Sequence, residues 1–393
     1  MALAAARKVP ASPLRAAPLR FEVIATRAAF DALAKPWNGL AARAQLSRQG
    51  FQSFGWLSSW AEHYAGDGHE LRVVLGWSGE ALQLAWPLGA RRRFGVTTLG
   101  FLGEPLSQYH DVLVEPGGLG EARLAAALDF VRGLPHDILC LRRVREDSQL
   151  ATALKAVGAR ALRTEQAPFI DFGEAKSFEA FERSLSAKER ANRRRRLRHI
   201  HELGEISFAS ATAPEERAAL IAVALGFKRE WALKGGHYAP AMFDPRFERC
   251  LRDAAHAENP DAALRVFAIR LGGRPIGVEI SFGYRDRLFG HVLAPDPALT
   301  KFGLGAALAD AAIADAFAQG YKVYDLLAPA NAYKFAWTSQ AVEVTDYALT
   351  ATRRGALAEA VFTRAAQTGR RWLRRAPPPL IRALLARGRA PNR

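Results

Sequence analysis

The residues best suited to chemistry lie between Leu288 and Ser339. A strand-like run, LFGHVLA, leads to Lys301-Phe302-Gly303-Leu304-Gly305, and these residues open a helix-patterned stretch. Two glycines at a helix start let the backbone approach a ligand closely. The first-turn N–H groups lack partners inside the helix, and the dipole adds positive potential, so the loop suits a pyrophosphate. A G-x-G loop also arises for steric reasons alone. Beyond the helix, Tyr321-KVYDLL reads as a short strand carrying Asp325 near its end. The segment Asn331-Ala332-Tyr333-Lys334-Phe335-Ala336-Trp337 then reads as the start of a second short helix. A carboxylate at a strand end and a Tyr-Lys helix start open toward one crevice in an α/β layout, where ligands bind.

The elements that must position these groups occur twice. Around Leu71 the chain reads LRVVLGWSGEALQLAWPLGARRRFGVTTLGFLG, and around Leu264 LRVFAIRLGGRPIGVEISFGYRDRLFGHVLAP. Each gives a strand, a Gly-bearing turn, a second strand, a basic turn and a third strand. Each then continues into a helix (119–132 and 305–319, the latter with Gly320 at its C-cap) and another strand. The pattern predicts an α/β fold of two layered lobes. The boundaries fall at 1–19 (a disordered tail), 20–168 (first lobe), 169–352 (second lobe) and 353–393 (a basic C-terminal tail). Between the lobes, SLSAKERANRRRRLRHIHELG has a capping-box start at Ser186 and Glu189. Its arginines from Arg190 to Arg198 form either a solvated face or a contact to phosphate or substrate.

Composition bounds the rest. The chain has 393 residues, 49% hydrophobic and 24% charged, the balance of a folded protein of about two domains. Two cysteines without neighbouring His or Cys spacing argue against a disulfide framework and a zinc site, and point to a reducing compartment. No apolar run reaches the ~18 residues of a spanning helix. A net charge of +16 favours anionic partners. No DNA-binding motif accompanies it, so DNA is not expected. The Ala/Arg-rich N-terminus reads as a disordered tail or a transit peptide. The C-terminal RRWLRRAPPPLIRALLARGRAPNR interleaves arginines with large apolar residues. It suits peripheral contact with an anionic membrane or a disordered tail, and Pro377 to Pro379 forbid one continuous helix.

On these motifs the chain resembles a GNAT acetyltransferase. More narrowly it resembles the CelD/BcsL family, described as acetyltransferases of cellulose and exopolysaccharide biosynthesis, which pair two GNAT-like lobes as FemAB-like proteins do. The matching runs are LSAKERANRRRRLR, FGLGAAL at Phe302 to Leu308, GYKVYDLL at Gly320 to Leu327 and AYKFAW at Ala332 to Trp337. FQSFGWLSSW and PLSQYHD match in the first half. The likeness covers about residues 20 to 350. One departure is Thr300, which stands where the usual Q/R-x-x-G-x-G/A loop has Gln or Arg and removes one phosphate contact; Lys301 is beside it.

The resemblance implies acetyl-CoA, or another acyl-CoA, as co-substrate and no metal. It places Lys301, Phe302, Gly303, Leu304, Gly305 and Ala306 on the CoA pyrophosphate, with Asn331 either contacting CoA or capping the Tyr333 turn. Direct transfer to an amine is implied, in the cytoplasm, the acceptor being an amino sugar or lipid-linked sugar. Tyr333 would protonate the thiolate, and Asp325 would be the base, with His291 and Glu279 behind it. Tyr333 could instead pack its ring, and Asp325 could pair with Lys334. The first lobe, without a G-x-G loop, would shape the acceptor site through Tyr109, His110 and Asp111, and Lys334 would also bind the substrate. Two other readings stay open: a FemAB-like transferase using charged tRNA at the basic helix, and a non-catalytic accessory of a membrane polysaccharide synthase.

Overall fold

Apolar residues alternating about Gly turns fold into hairpins, and the Ala/Leu-rich runs between them into covering helices. The computed structural model describes residues 19–66, 68–256, 262–373 and 375–387. The first half holds β1 (Arg20–Ile24), α1 (Arg27–Asp31), α2 (Ala34–Ala44), α3 (Phe54–Tyr64), β2 (Glu70–Leu71), β3 (Val73–Ser78), β4 (Ala81–Trp86), β5 (Leu88–Arg93) and β6 (Val96–Phe101). It continues through β7 (Leu113–Val114), α4 (Gly120–Arg132), β8 (Ile138–Arg145), α5 (Gln149–Ala156) and β9 (Arg160–Asp171). The second half holds α6 (Phe178–Ser184), α7 (Ala187–His201), β10 (Ile206–Ser210), α8 (Pro214–Gly235), α9 (Pro245–His256), β11 (Ala262–Leu271), β12 (Arg274–Tyr284) and β13 (Arg287–Pro295). After it come α10 (Leu304–Ala318), β14 (Val323–Asp325), β15 (Ala341–Thr350), α11 (Arg353–Leu373) and α12 (Pro378–Arg387).

The duplication is real at the level of topology. In each half an antiparallel meander ends in a strand that pairs parallel with the strand after a helix: β6 with β8 and β13 with β14. In the first half the middle strand is broken. Pro87 cannot donate to a ladder, and there the chain leaves a four-stranded sheet (β1-β3-β4-β7) for the main sheet.

The main sheet has eleven strands in the order β10-β11-β12-β13-β14-β9-β15-β8-β6-β5-β2, so both lobes share it. The sequence boundary at 168/169 falls inside β9. Its end pairs with β14 and the rest with β15. β15, assigned by sequence to the second lobe, lies between β9 and β8. A lobe boundary drawn along the chain therefore cuts a strand that belongs to both. Where the lobes meet, Phe51, Trp56, Tyr109, Phe282 and Phe289 pack ring against ring.

The expected basic tail is two helices. Proline at Pro377 to Pro379 separates them as its missing N–H requires. α12 buries Ile381 and Leu385 against Ala232 of α8 and Phe243. Residues 1–18 of the expected N-terminal tail lie outside the described residues. Among the described residues, no helix is long and apolar enough to cross a membrane.

Candidate active site

The site begins where two strands part. β13 and β14 pair only at Arg287 with Val323, Leu288 with Tyr324 and Phe289 with Asp325. β14 then stops, while β13 runs on to Pro295 with β12 on its other side. From Gly290 onward β13 thus presents a backbone edge without a strand partner, ready to pair with an extended ligand. The β12–β13 register slips between Ile280 and Ser281, leaving His291 as the extra residue of a bulge.

Glu279 of β12 lies beside this opening and is 1% exposed. Ser281 Oγ donates to its Oε1 at 2.8 Å, and the Tyr324 hydroxyl hydrogen-bonds the same oxygen. Oε2 is buried without a partner among the described residues. Burial pushes the Glu279 carboxyl up to about 7, outweighing both hydrogen bonds. Gly290 makes room for this pair. A Cβ there would sit 2.9 Å from the Tyr324 hydroxyl and 3.1 Å from Glu279 Oε1.

Tyr333 is partly exposed on the loop after β14. Burial, with the Glu279 charge second, pushes its hydroxyl up to about 12, so it holds its proton. The Glu279 charge acts on Tyr333, and Tyr333 in turn on Tyr324. The loop is strapped from inside. Lys334 Nζ donates to the carbonyls of Leu327 (2.8 Å) and Pro329 (2.9 Å), and burial lowers its ammonium to about 8. Lys334 is thus buried under the loop, away from the substrate position expected of it. The expected helix is a three-residue 3-10 turn, Lys334–Ala336, with Tyr333 as N-cap. Asn331 is exposed and contributes its carbonyl, which accepts from Lys334 N, in place of a side-chain cap.

The G-x-G loop stands at the start of α10. Gly303 has φ +70°, a left-handed conformation that favours glycine. Gly305 has no such need, since a Cβ there would only touch Pro295 at 3.4 Å. The amides of Leu304 and Gly305, in the first helical turn, lack intrahelical acceptors. Lys301 is exposed with its ammonium 5.1 Å from the Phe302 ring, and Leu304 is buried in the core under the helix.

The arginines of α7 divide. Ser186 caps the helix by accepting from Glu189 N, as the sequence indicates. Arg196 pairs with Asp310 of α10 at 2.6 Å, and Arg193 lies 3.5 Å from the same carboxylate. Arg193 also stacks 3.3 Å from the Trp337 ring centroid and donates to Ala336 O. These two side chains brace α10 and the Tyr333 turn from behind, a role neither sequence alternative contained.

Asp325, expected as the base, is fully buried. It accepts from Tyr109 Oη (2.6 Å), Arg287 (2.9 Å), Arg145 (3.2 Å) and Leu327 N (3.0 Å). No open lone pair faces the strand opening, so its geometry is that of a joint between lobes. His291 also turns into that joint. Nε2 contacts Leu106 O at 2.6 Å, and burial lowers the ring to about 4, so it is neutral. Tyr109, His110 and Asp111 are all buried, where an acceptor groove would need them open. Tyr109 bonds Asp325, His110 stacks on Phe101, and Asp111 accepts from Gln49. Burial raises the Asp111 carboxyl and lowers His110 to about 4. Tyr324 was not singled out by the sequence. Alternation along β14 sends it to the face opposite Asp325, and that is the only signal it leaves.

The first lobe repeats the strand opening. β6 and β8 pair only at Thr98–Leu99 with Ile138–Leu139, and a cleft of about 410 Å³ lies beyond, lined by Arg142, Arg143, Arg163 and Arg370. Here the loop 103–111 replaces the G-x-G helix start, and Phe362 and Ala366 of α11 form part of the wall. Among the described residues no group of three or more His, Cys, Asp or Glu side chains is placed to hold a metal.

Residues 187–335 match the family model described as an acetyltransferase (GNAT) domain. The second lobe is a GNAT acetyltransferase domain. The matched stretch runs from α7 through the G-x-G loop to the Tyr333 turn, and the first lobe repeats its topology. Among solved structures, the chain is similar to FemX at 12% identity and TM-score 0.56, covering 84% of this chain and 97% of that one. It is also similar to the C-terminal domain (DUF2156) of a protein assigned as a lysylphosphatidylglycerol synthetase from Agrobacterium fabrum. That likeness is at 10% identity and TM-score 0.52, over 86% and 96% of the two chains. At these identities the likeness is one of fold. No curated protein matches the chain in sequence. With the GNAT domain in place, the chain is an acyltransferase built from tandem GNAT-like lobes.

Proposed function

We propose that this acyltransferase uses acetyl-CoA, or a related acyl-CoA, and passes the acyl group directly to an amine in the second lobe. Glu279 carries the reading. Its carboxyl releases a proton near neutral pH and keeps one oxygen free, beside the unpaired edge of β13. Acyl-CoA supplies the activated thioester. The first-turn amides of α10 hold its pyrophosphate, and backbone N–H groups of β13 beyond Gly290 polarise its carbonyl. Glu279 takes a proton from the amine as nitrogen bonds to the carbonyl carbon. The carbon–sulfur bond breaks, and Tyr333 gives its proton to the sulfur. Return of the proton from Glu279 to Tyr333 restores both groups. In this reading Asp325 positions the loop and does no proton transfer.

The acceptor is read as an amino sugar or lipid-linked sugar of exopolysaccharide or cellulose biosynthesis, which rests on the CelD/BcsL resemblance. The experiment is calorimetry of acetyl-CoA on the wild type and on the Gly303→Trp, Gly305→Trp double variant, followed by thiol-release assays with amino-sugar acceptors. Binding lost in the variant supports the reading. A wild type that binds no acetyl-CoA overturns it, and charged tRNA then becomes the donor to test.

A further inference from the structure

Beyond residue 352 the sequence holds eleven arginines and a single acid, Glu359. That acid turns inward, pairing with Arg160 and accepting from Thr363 Oγ1 at 2.6 Å. No acidic side chain is therefore left on the outer surface of α11 or on α12. The inner face of α11 is seated firmly: Gly355 lies against Asp137, where a Cβ would be 2.1 Å from its carbonyl oxygen, and Arg354 pairs with the Asp137 carboxylate at 2.8 Å. Glu359, Thr363, Ala366 and Arg370 border the first-lobe cleft from this inner side.

The outer face is the opposite in kind. Leu357 is 70% exposed, Val361 53% and Trp372 47%. At 3.6 residues per turn these three fall on one stripe. On α12, Ile381 and Leu385 are buried while Leu380 and Leu384, again four apart, point outward. Among the described residues, the exposed Arg353, Arg364, Arg371, Arg375 and Arg382 have no carboxylate partner. Large apolar groups on a fixed helix face, flanked by unpaired arginines, make a poor surface for water and a good one for a headgroup layer.

We propose that α11 and α12 dock the protein on an anionic lipid bilayer. Leu357, Val361, Trp372, Leu380 and Leu384 enter the interface and the arginines meet the headgroups. Trp372 suits the interface because its ring is amphipathic. The one-sided positive charge selects an anionic surface over a neutral one, since each basic group near such a membrane contributes ~1 kcal/mol, about fivefold in binding. This inference is independent of the acyl-transfer reading.

The test is co-sedimentation of the full chain with phosphatidylcholine vesicles, with and without ~30% phosphatidylglycerol, at low and high salt. The expected result is binding at least about tenfold tighter to the anionic vesicles, weakened by salt. A Leu357→Ser, Val361→Ser, Trp372→Ser variant should lower it by about tenfold or more, as should Arg364→Glu with Arg371→Glu. Melting temperatures should be unchanged, because all five side chains are exposed. Equal binding to both vesicles, no binding, or undiminished binding by the triple variant overturns the proposal. So does light scattering that shows a dimer without vesicle affinity and a monomeric triple variant, which would assign the stripe to a second copy.

Discussion

Tyr109 and Asp325, 216 positions apart, meet at 2.6 Å in the joint between the lobes. Through Asp325 the first lobe reaches the loop that carries Tyr333, because the same oxygen accepts from Leu327 N and the Leu327 carbonyl accepts from Lys334. Leu327 has φ +60°, a conformation a non-glycine residue holds at some cost, and these two bonds clamp it from both sides.

Removing the carboxylate should therefore act on stability before it acts on chemistry. Asp325→Ala leaves the buried Arg287 without its counter-charge and Arg145 with Asp147 alone, a loss of about 3–5 kcal/mol. Tyr109→Phe gives up one hydrogen bond to a charged group, about 1.5–3 kcal/mol. Denaturant melts read both. An Asp325→Asn enzyme that keeps its wild-type stability yet loses all turnover would restore Asp325 as the base.

Glu279→Gln tests the base itself. The variant should lower kcat by about 10²–10⁴ while leaving acetyl-CoA binding intact. The active form is the carboxylate, so wild-type kcat/KM should rise with pH and level off above about 7, where burial has placed the group. In the variant that limb should vanish. A wild-type profile flat from about pH 5 to about pH 8 would remove Glu279 from the reaction.

The same shift has a consequence for folding. The folded carboxyl sits at about 7 against 4.5 in the unfolded chain, so the native state binds the extra proton between those values. Stability from this group is fully present below about 4.5 and is lost as pH rises through about 7. Glu279→Gln, permanently neutral, should abolish that decline and be the more stable protein at pH 8, by an amount on the order of a few kcal/mol. Paired urea melts at acid and alkaline pH give the comparison, and equal slopes in the two proteins count against the buried-acid account.

Local signals carried far in this sequence, and contacts between distant segments did not. The N-cap at Ser186, the glycine at Gly303 and the meander repeats are each set by residues within a few positions, so they are readable in a line. Asp325 was legible as an important carboxylate, but three of its four donors, Tyr109, Arg145 and Arg287, come from distant strands and loops. Nothing local separates a base from a joint. Glu279 stood last among the candidates because a strand reading V-E-I-S says nothing of Tyr324, forty-five positions on, or of the missing partner at Oε2. The passage of β15 between β9 and β8 was invisible for the same reason, since its neighbours are chosen by the whole sheet. In sequence Arg193 and Arg196 offer only a solvated face or a contact to phosphate or substrate, because Asp310 and Trp337, which they meet, are more than a hundred positions away.

The two glycines of the α10 loop should separate fold from ligand. Gly303→Ala forces a side chain into φ +70° and should cost about 1–2 kcal/mol of stability. Gly305→Ala should do the reverse. Its Cβ meets only Pro295 at 3.4 Å, and alanine in a helix gains about 0.5–1 kcal/mol over glycine. If acyl-CoA approaches the backbone there, Gly305→Val should nevertheless weaken acetyl-CoA binding by about tenfold, near 1.4 kcal/mol. Calorimetry and thermal melts on the three variants decide the matter. Unchanged affinity in Gly305→Val places the pyrophosphate elsewhere.

Tyr333→Phe and Lys334→Met should fail in different ways. The phenylalanine variant keeps the ring and the loop, so its melting temperature and acetyl-CoA affinity should match the wild type. Its kcat should fall by about 10²-fold or more, because the donor to the leaving sulfur is gone. Lys334→Met keeps Tyr333 but leaves the Leu327 and Pro329 carbonyls without their donor, a loss of about 1–3 kcal/mol for buried acceptors. That variant should melt earlier, and its kcat should fall with the drift of Tyr333 from the Glu279–Tyr324 pair. A leaving group that needs no proton, such as a low-pKa thiol ester, should restore turnover to both variants, since each has lost only the proton that Tyr333 delivers. Rescue of neither would show that Tyr333 acts by position and not by its proton.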